Sequence, residues 1–71
     1  MSEPIETLGT ALPKEQARVR QVQADYRAIG PPGFIGATLI EMSLRKADQA
    51  VMSGDVVAML LAYEDLKSIQ G

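Results

Sequence analysis

The sequence contains no cysteine, no histidine and no tryptophan. Without cysteine, a disulfide framework, a thiolate nucleophile and a cysteine-based zinc site are excluded. Without histidine, the chain lacks the commonest general base and the commonest metal ligand. Phe34, Tyr26 and Tyr63 are the only aromatics, too few to stack a row of unpaired bases. No uncharged apolar run approaches the roughly 20 residues of a membrane-spanning helix, the longest all-apolar run being 56–63. The start MSEPIETLGT carries Glu3 and Glu6 where a targeting segment would be basic, so a soluble, cytoplasmic protein is expected. Charge of one sign is also missing. Seven Lys and Arg against nine Asp and Glu leave a net charge of -2, which argues against a nucleic-acid coat or a polybasic membrane peptide.

What is present is 71 residues, 46% of them hydrophobic, enough for one small domain. A folded chain of this size buries only about 60% of the surface it exposes when unfolded. With no disulfide and no recognisable metal site, self-association is the remaining source of stability.

The apolar spacing predicts an all-α domain of three helices, 13–29, 33–52 and 55–69, preceded by an arm over 1–12. In the arm, Ile5, Leu8 and Leu12 are available to dock. Pro13 suits a first helical position, where its missing N–H costs nothing, and Glu15 then lies on the favourable side of the helix dipole. Val19, Val22, Tyr26 and Ile29 follow a helical stripe, with Arg18, Arg20, Gln21, Gln23, Asp25 and Arg27 on the other faces. Gly30-Pro31-Pro32-Gly33 stops this helix, because the residue before proline avoids the helical region. In the second helix Ala37, Ile40, Leu44, Ala47 and Val51 make one stripe, and Ile35, Leu39 and Met42 a second beside it. Ser53-Gly54-Asp55 is a short turn, with Gly54 suited to a left-handed helix end and Asp55 or Ser53 to a cap. So short a link predicts that the second and third helices form an antiparallel hairpin, with the first packed across it. Leu66 and Ile69 continue the inner stripe of the third helix.

The third helix begins with eight consecutive apolar residues, Val56, Val57, Ala58, Met59, Leu60, Leu61, Ala62 and Tyr63. A surface helix needs an apolar stripe little wider than 100°, and two short neighbours do not cover a whole circumference. The apolar N-terminal half of the second helix is expected to pair with the end of the third, so that the excess runs along one side of the hairpin. Val56, Val57, Met59, Leu60, Leu61, Tyr63, Ile35, Leu39 and Met42 are therefore the candidate oligomer or partner interface. A homodimer covers such a surface symmetrically. The alternatives are the N-terminal arm folded over it in a monomer, or a site kept for a different protein.

Little else carries chemistry. The acids are scattered, and Ser2, Ser43, Ser53 and Ser68 have no histidine to activate them, so an enzyme is not expected, nor any cofactor or metal. A helix-turn-helix reading of the last two helices fails because its recognition helix would open Asp55-Val56-Val57-Ala58-Met59, an acid and four apolar residues, where bases and phosphates demand polar and basic ones. The segment Gly30-Pro31-Pro32-Gly33-Phe34-Ile35-Gly36 admits two readings. In one, N–H groups at a glycine-rich helix start hold an anion with help from Arg27, making Gly33, Phe34 and Gly36 ligand contacts. In the other it is a rigid turn whose Gly36 permits close packing. Arg18, Arg20 and Arg27 form a candidate face for a partner or anion.

The stretch Tyr26-Arg27-Ala28-Ile29-Gly30-Pro31-Pro32-Gly33-Phe34-Ile35-Gly36, with Ile40-Glu41, Ser53-Gly54-Asp55-Val56-Val57-Ala58-Met59 and Tyr63-Glu64-Asp65-Leu66-Lys67, resembles small helical accessory proteins of temperate bacteriophages and prophages of proteobacteria. The resemblance covers about 12–69 and brings no catalytic motif, so no functional residue is carried over. It implies a host-takeover or anti-defence factor in the cytoplasm of a bacterial host, acting by stoichiometric binding to a host protein that it inhibits. The alternatives are a sponge for a small anionic ligand such as a nucleotide signal, a structural phage subunit, and a weak DNA binder.

Overall fold

The computed structural model describes residues 7–70. They form three α-helices, α1 (Leu8–Ile29), α2 (Pro31–Ser53) and α3 (Val56–Lys67), and no strand occurs among the described residues. Each helix packs on the other two.

α1 begins at Leu8, so residues 8–12 of the expected arm are helical, while 1–6, with Ile5, lie outside the described residues. Pro13 is accordingly inside the helix rather than at its start. The ring removes the N–H that would reach the carbonyl of Gly9, at a cost of about 3 kcal/mol in a helix interior. Burial of the turn before it offsets that cost. Leu12 is fully enclosed and Ala11 nearly so, and a large aliphatic side chain gains roughly 1.5–3 kcal/mol on burial.

The inward face of α1 is Leu12, Gln16, Val19 and Gln23, with Ala11 and Val22 beside it. Tyr26 is half-buried against this core, but Ile29 is exposed rather than part of the stripe. Gly33 and Gly36 open α2 nearby and have no side chains to lay over Ile29. On α2, Ala37, Ile40, Leu44 and Ala47 are buried as expected, but Ala50 replaces Val51 as the last inward residue. The C-terminal part of α2 must face α3 as well as α1, and Ala50 lies on that shared side. α3 contributes Ala62 and Leu66 to the cluster, with Ala58, Met59, Tyr63 and Ile69 packed around them. α3 ends at Lys67, two residues before the expected limit, leaving Ile69 to pack from beyond the helix.

The turns follow their residue chemistry. Gly54 adopts φ 72°, and the Asp55 carboxylate accepts the N–H groups of Val57 at 3.0 Å and Ala58 at 3.3 Å, capping α3. α2 starts at Pro31, earlier than expected, because two prolines fill first-turn positions that need no N–H. Between α1 and α2 only Gly30 intervenes, at φ 98° and ψ -158°, a conformation essentially reserved for glycine. The reversal brings backbone onto backbone. A Cβ at Gly33 would run into the carbonyl oxygen of Tyr26.

Gly33→Ala must therefore push α1 and α2 apart, with an expected loss on the order of 2 kcal/mol or more. At Gly36 an added Cβ meets only the Tyr26 ring, at 3.2 Å, and alanine's better helix propensity offsets about 0.5–1 kcal/mol, so Gly36→Ala is expected near neutral. Urea denaturation of both variants checks this ranking, and equal losses would contradict the close approach.

Candidate functional site

The residues singled out for an interface are mostly uncovered. Ile35, Leu39, Met42, Val56, Val57, Leu60 and Leu61 range from 48% exposed at Leu60 to 75% at Ile35. Met59 and Tyr63, expected in the same group, are instead half-buried against the core. They sit on the side of α3 that carries Ala62 and Leu66, three residues before each. Ile29, Phe34, Val51 and Met52 add further exposed apolar side chains.

Helical geometry explains which residues are left bare. Successive residues rotate by about 100°, so Ile35, Leu39 and Met42 lie on the side of α2 that also carries Lys46, Ala50 and Ser53. Those three, with Gln49, face Ala58, Leu61, Ala62 and Asp65 of α3 across a groove of about 500 Å³. The 12 residues of α3 rise about 18 Å and the 23 of α2 about 35 Å. α3 thus borders the C-terminal half of this side, where Ala50 is buried while Lys46, Gln49 and Ser53 stay exposed. The N-terminal half is expected to pair with the end of α3. Ile40 and Leu66 share the core cluster, while Ile35, Leu39 and Met42 stay exposed.

The arginines placed on a candidate partner face are engaged within the fold. Gln16 Nε2 donates to Asp48 Oδ1 at 2.7 Å, and Arg20 Nη2 lies 3.2 Å from the same oxygen. One heptad further along α1 the arrangement repeats. Gln23 Nε2 donates to Glu41 Oε1 at 2.8 Å and to the Ala37 carbonyl at 3.1 Å, with Arg27 Nη2 at 4.0 Å from Glu41. Gln16 and Gln23 are spaced as Glu41 and Asp48 are, and the pairing runs in opposite directions, so α1 and α2 lie antiparallel in one register. Gln23 is buried, not on an outer face as its polarity suggested. Arg18 bridges to Glu15 at 2.9 Å and donates to the Leu66 carbonyl at 2.9 Å, closing the C-terminal end of α3. No buried side-chain polar atom among the described residues lacks a partner.

The anion reading of Gly30–Gly36 loses its donors. Of the first three helical positions of α2, two are prolines without N–H, and Gly33 N–H donates to the Gly30 carbonyl at 2.8 Å. Arg27 leans toward Glu41 instead. Gly33 is buried and Gly36 sits beneath the Tyr26 ring, so the packing reading is the one the geometry fits. Phe34 remains exposed.

Among the described residues, no group of three or more acids lies close enough together to hold a metal ion, and no helix is long and apolar enough to cross a membrane. No protein-family model matches the chain, and no curated protein or solved structure matches it either.

Hydrogen bonds from Gln23 and then Arg45 hold the Glu41 carboxyl below its ordinary value of 4.5. A carboxyl depressed by folding stabilises the fold fully above its unfolded pKa, and that contribution is lost as pH falls through the folded value. Glu41→Gln keeps an acceptor for Gln23 but has nothing to titrate. Its Tm is expected to fall less than that of the parent between about pH 6 and about pH 3. Parallel Tm curves over that interval would remove Glu41 from the acid response.

Proposed function

We propose that this chain is a non-enzymatic helical binding protein that self-associates and attaches to another protein through its apolar surface. The carrying observation is the set of large apolar side chains left uncovered on α2 and α3, Ile35, Leu39, Met42, Val56, Val57, Leu60 and Leu61. In this reading α2 and α3 form an antiparallel hairpin and the uncovered residues are its working face. Large exposed apolar patches mark protein interfaces. The arginine face is set aside, since Arg18 and Arg20 are committed to contacts between helices. The resemblance to phage accessory factors supports the remainder of the proposal, a cytoplasmic protein of a bacterial host that inhibits a host protein by occupying it. Shape and apolar contact then do the work that reactive side chains do in an enzyme.

Light scattering across the micromolar range tests self-association. The parent protein is expected above the monomer mass of 7.6 kDa, and Leu61→Asp at that mass with its helical circular dichroism intact. Leu61 is 66% exposed in the single chain, so the carboxylate is solvated there and costs little, whereas burying it unpaired in an interface costs more than the roughly 2–7 kcal/mol of a neutral polar group. A parent protein that stays monomeric throughout would overturn the proposal.

A further inference from the structure

The uncovered stretch of α2 has a definite shape. It lies on the side of α2 that borders the groove beside α3 further along. From Ile35 to Met42 it runs about two helical turns, roughly 12 Å, which is the length of the exposed start of α3. Its floor is Ile35, Leu39 and Met42. The chain carries a helix segment with the complementary need. The first two turns of α3 expose Val56, Val57, Leu60 and Leu61, each by about half or more among the described residues.

We infer that the occupant is a second copy of this chain, in a two-fold dimer where the first two turns of each α3 lie along Ile35, Leu39 and Met42 of the other copy's α2. This rests on the self-association proposed above and specifies which surfaces meet. Two different patches, each used once by each copy, satisfy a closed two-fold. An arrangement of like on like would leave the other patch bare. The area is sufficient. The seven side chains are between about half and three-quarters exposed, which at roughly 100 Å² for a large aliphatic side chain amounts to about 400 Å² of apolar surface per copy. Doubled by symmetry, and at about 65% apolar composition, this is an interface of roughly 1,200 Å². That meets the lower bound for a specific stable dimer.

The absence of cysteine makes the pairing directly readable. Leu39→Cys and Val57→Cys each introduce a single thiol at an exposed site, and neither is expected to disturb the helical circular dichroism. The two variants are mixed while reduced, left to exchange subunits, and treated with a short bismaleimide. The mixture is expected to give a cross-linked band at twice 7.6 kDa at least ten times more abundant than either variant treated alone. A dimeric mass with no excess of cross-link in the mixture would overturn the pairing and leave self-association standing. So would Leu39→Cys linking to itself as well as it links to Val57→Cys. A mass of 7.6 kDa for the parent protein at every concentration, or a larger mass only when a different protein is added, would overturn both.

Discussion

A helix of 12 residues cannot shield one of 23, and most of what is distinctive here follows from that inequality. α1 and α2 are nearly equal in length and pack along each other, so the third helix determines where a three-sided core exists. It exists where Leu12, Leu44, Ala47 and Leu66 meet, beside the C-terminal half of α2. Towards its N-terminus α2 carries Ile35, Leu39 and Met42 exposed, on a side that the described residues of α1 do not bury. The bare surface is thus a product of topology acting on an apolar helix that runs past its cover.

The α1–α2 pair has to be rigid for that side to present a fixed shape, and two devices make it so. The single-residue reversal at Gly30, with Gly33 resting against the Tyr26 carbonyl, fixes how closely the helices approach at one end. The repeated Gln-to-carboxylate contacts, Gln16 with Asp48 and Gln23 with Glu41, fix the sliding register. Buried polar residues that specify register are known from coiled coils, usually at some expense of stability. Here the expense is limited, because each glutamine has a partner and the carboxylates remain partly exposed. A slip of one helical turn would strand both glutamines among apolar side chains.

The helix count, the Gly54–Asp55 turn and the α2 stripe from Ala37 to Ala47 were legible because each rests on local chemistry: periodicity, a left-handed glycine, a capping carboxylate. The start of α1 was not. Proline at position 13 is an ordinary marker of a helix start, and only the tertiary burial of Leu12 overrides it. Gln23 was misplaced for a related reason. Polarity assigns glutamine to the surface, and the signal against that assignment was the heptad recurrence of Gln-x-x-x-Arg at 16–20 and 23–27 opposite acids at 41 and 48. The missing anion donors were also readable in advance, since proline has no N–H wherever it stands. The reach of α3 was not, because comparing helix lengths requires knowing where the core ends. The apolar excess itself was visible in composition, although Met59 and Tyr63 were counted outside when part of each packs within.

Small size and uncovered surface bear on each other energetically. A lone chain of this length closes one modest core in which alanine is prominent, at Ala47, Ala50 and Ala62, and alanine gains little from burial compared with the leucines and valines left outside. In the proposed dimer, association would contribute to folding as any ligand for the native state does, by about 2.7 kcal/mol when the partner is present at 100 times its dissociation constant. That is a large share of the 5–15 kcal/mol by which ordinary domains are stable. Moving the exposed leucines and valines inward would strengthen the monomer and abolish the surface at once. In the proposed assembly, keeping them outside ties part of the stability to the partner copy.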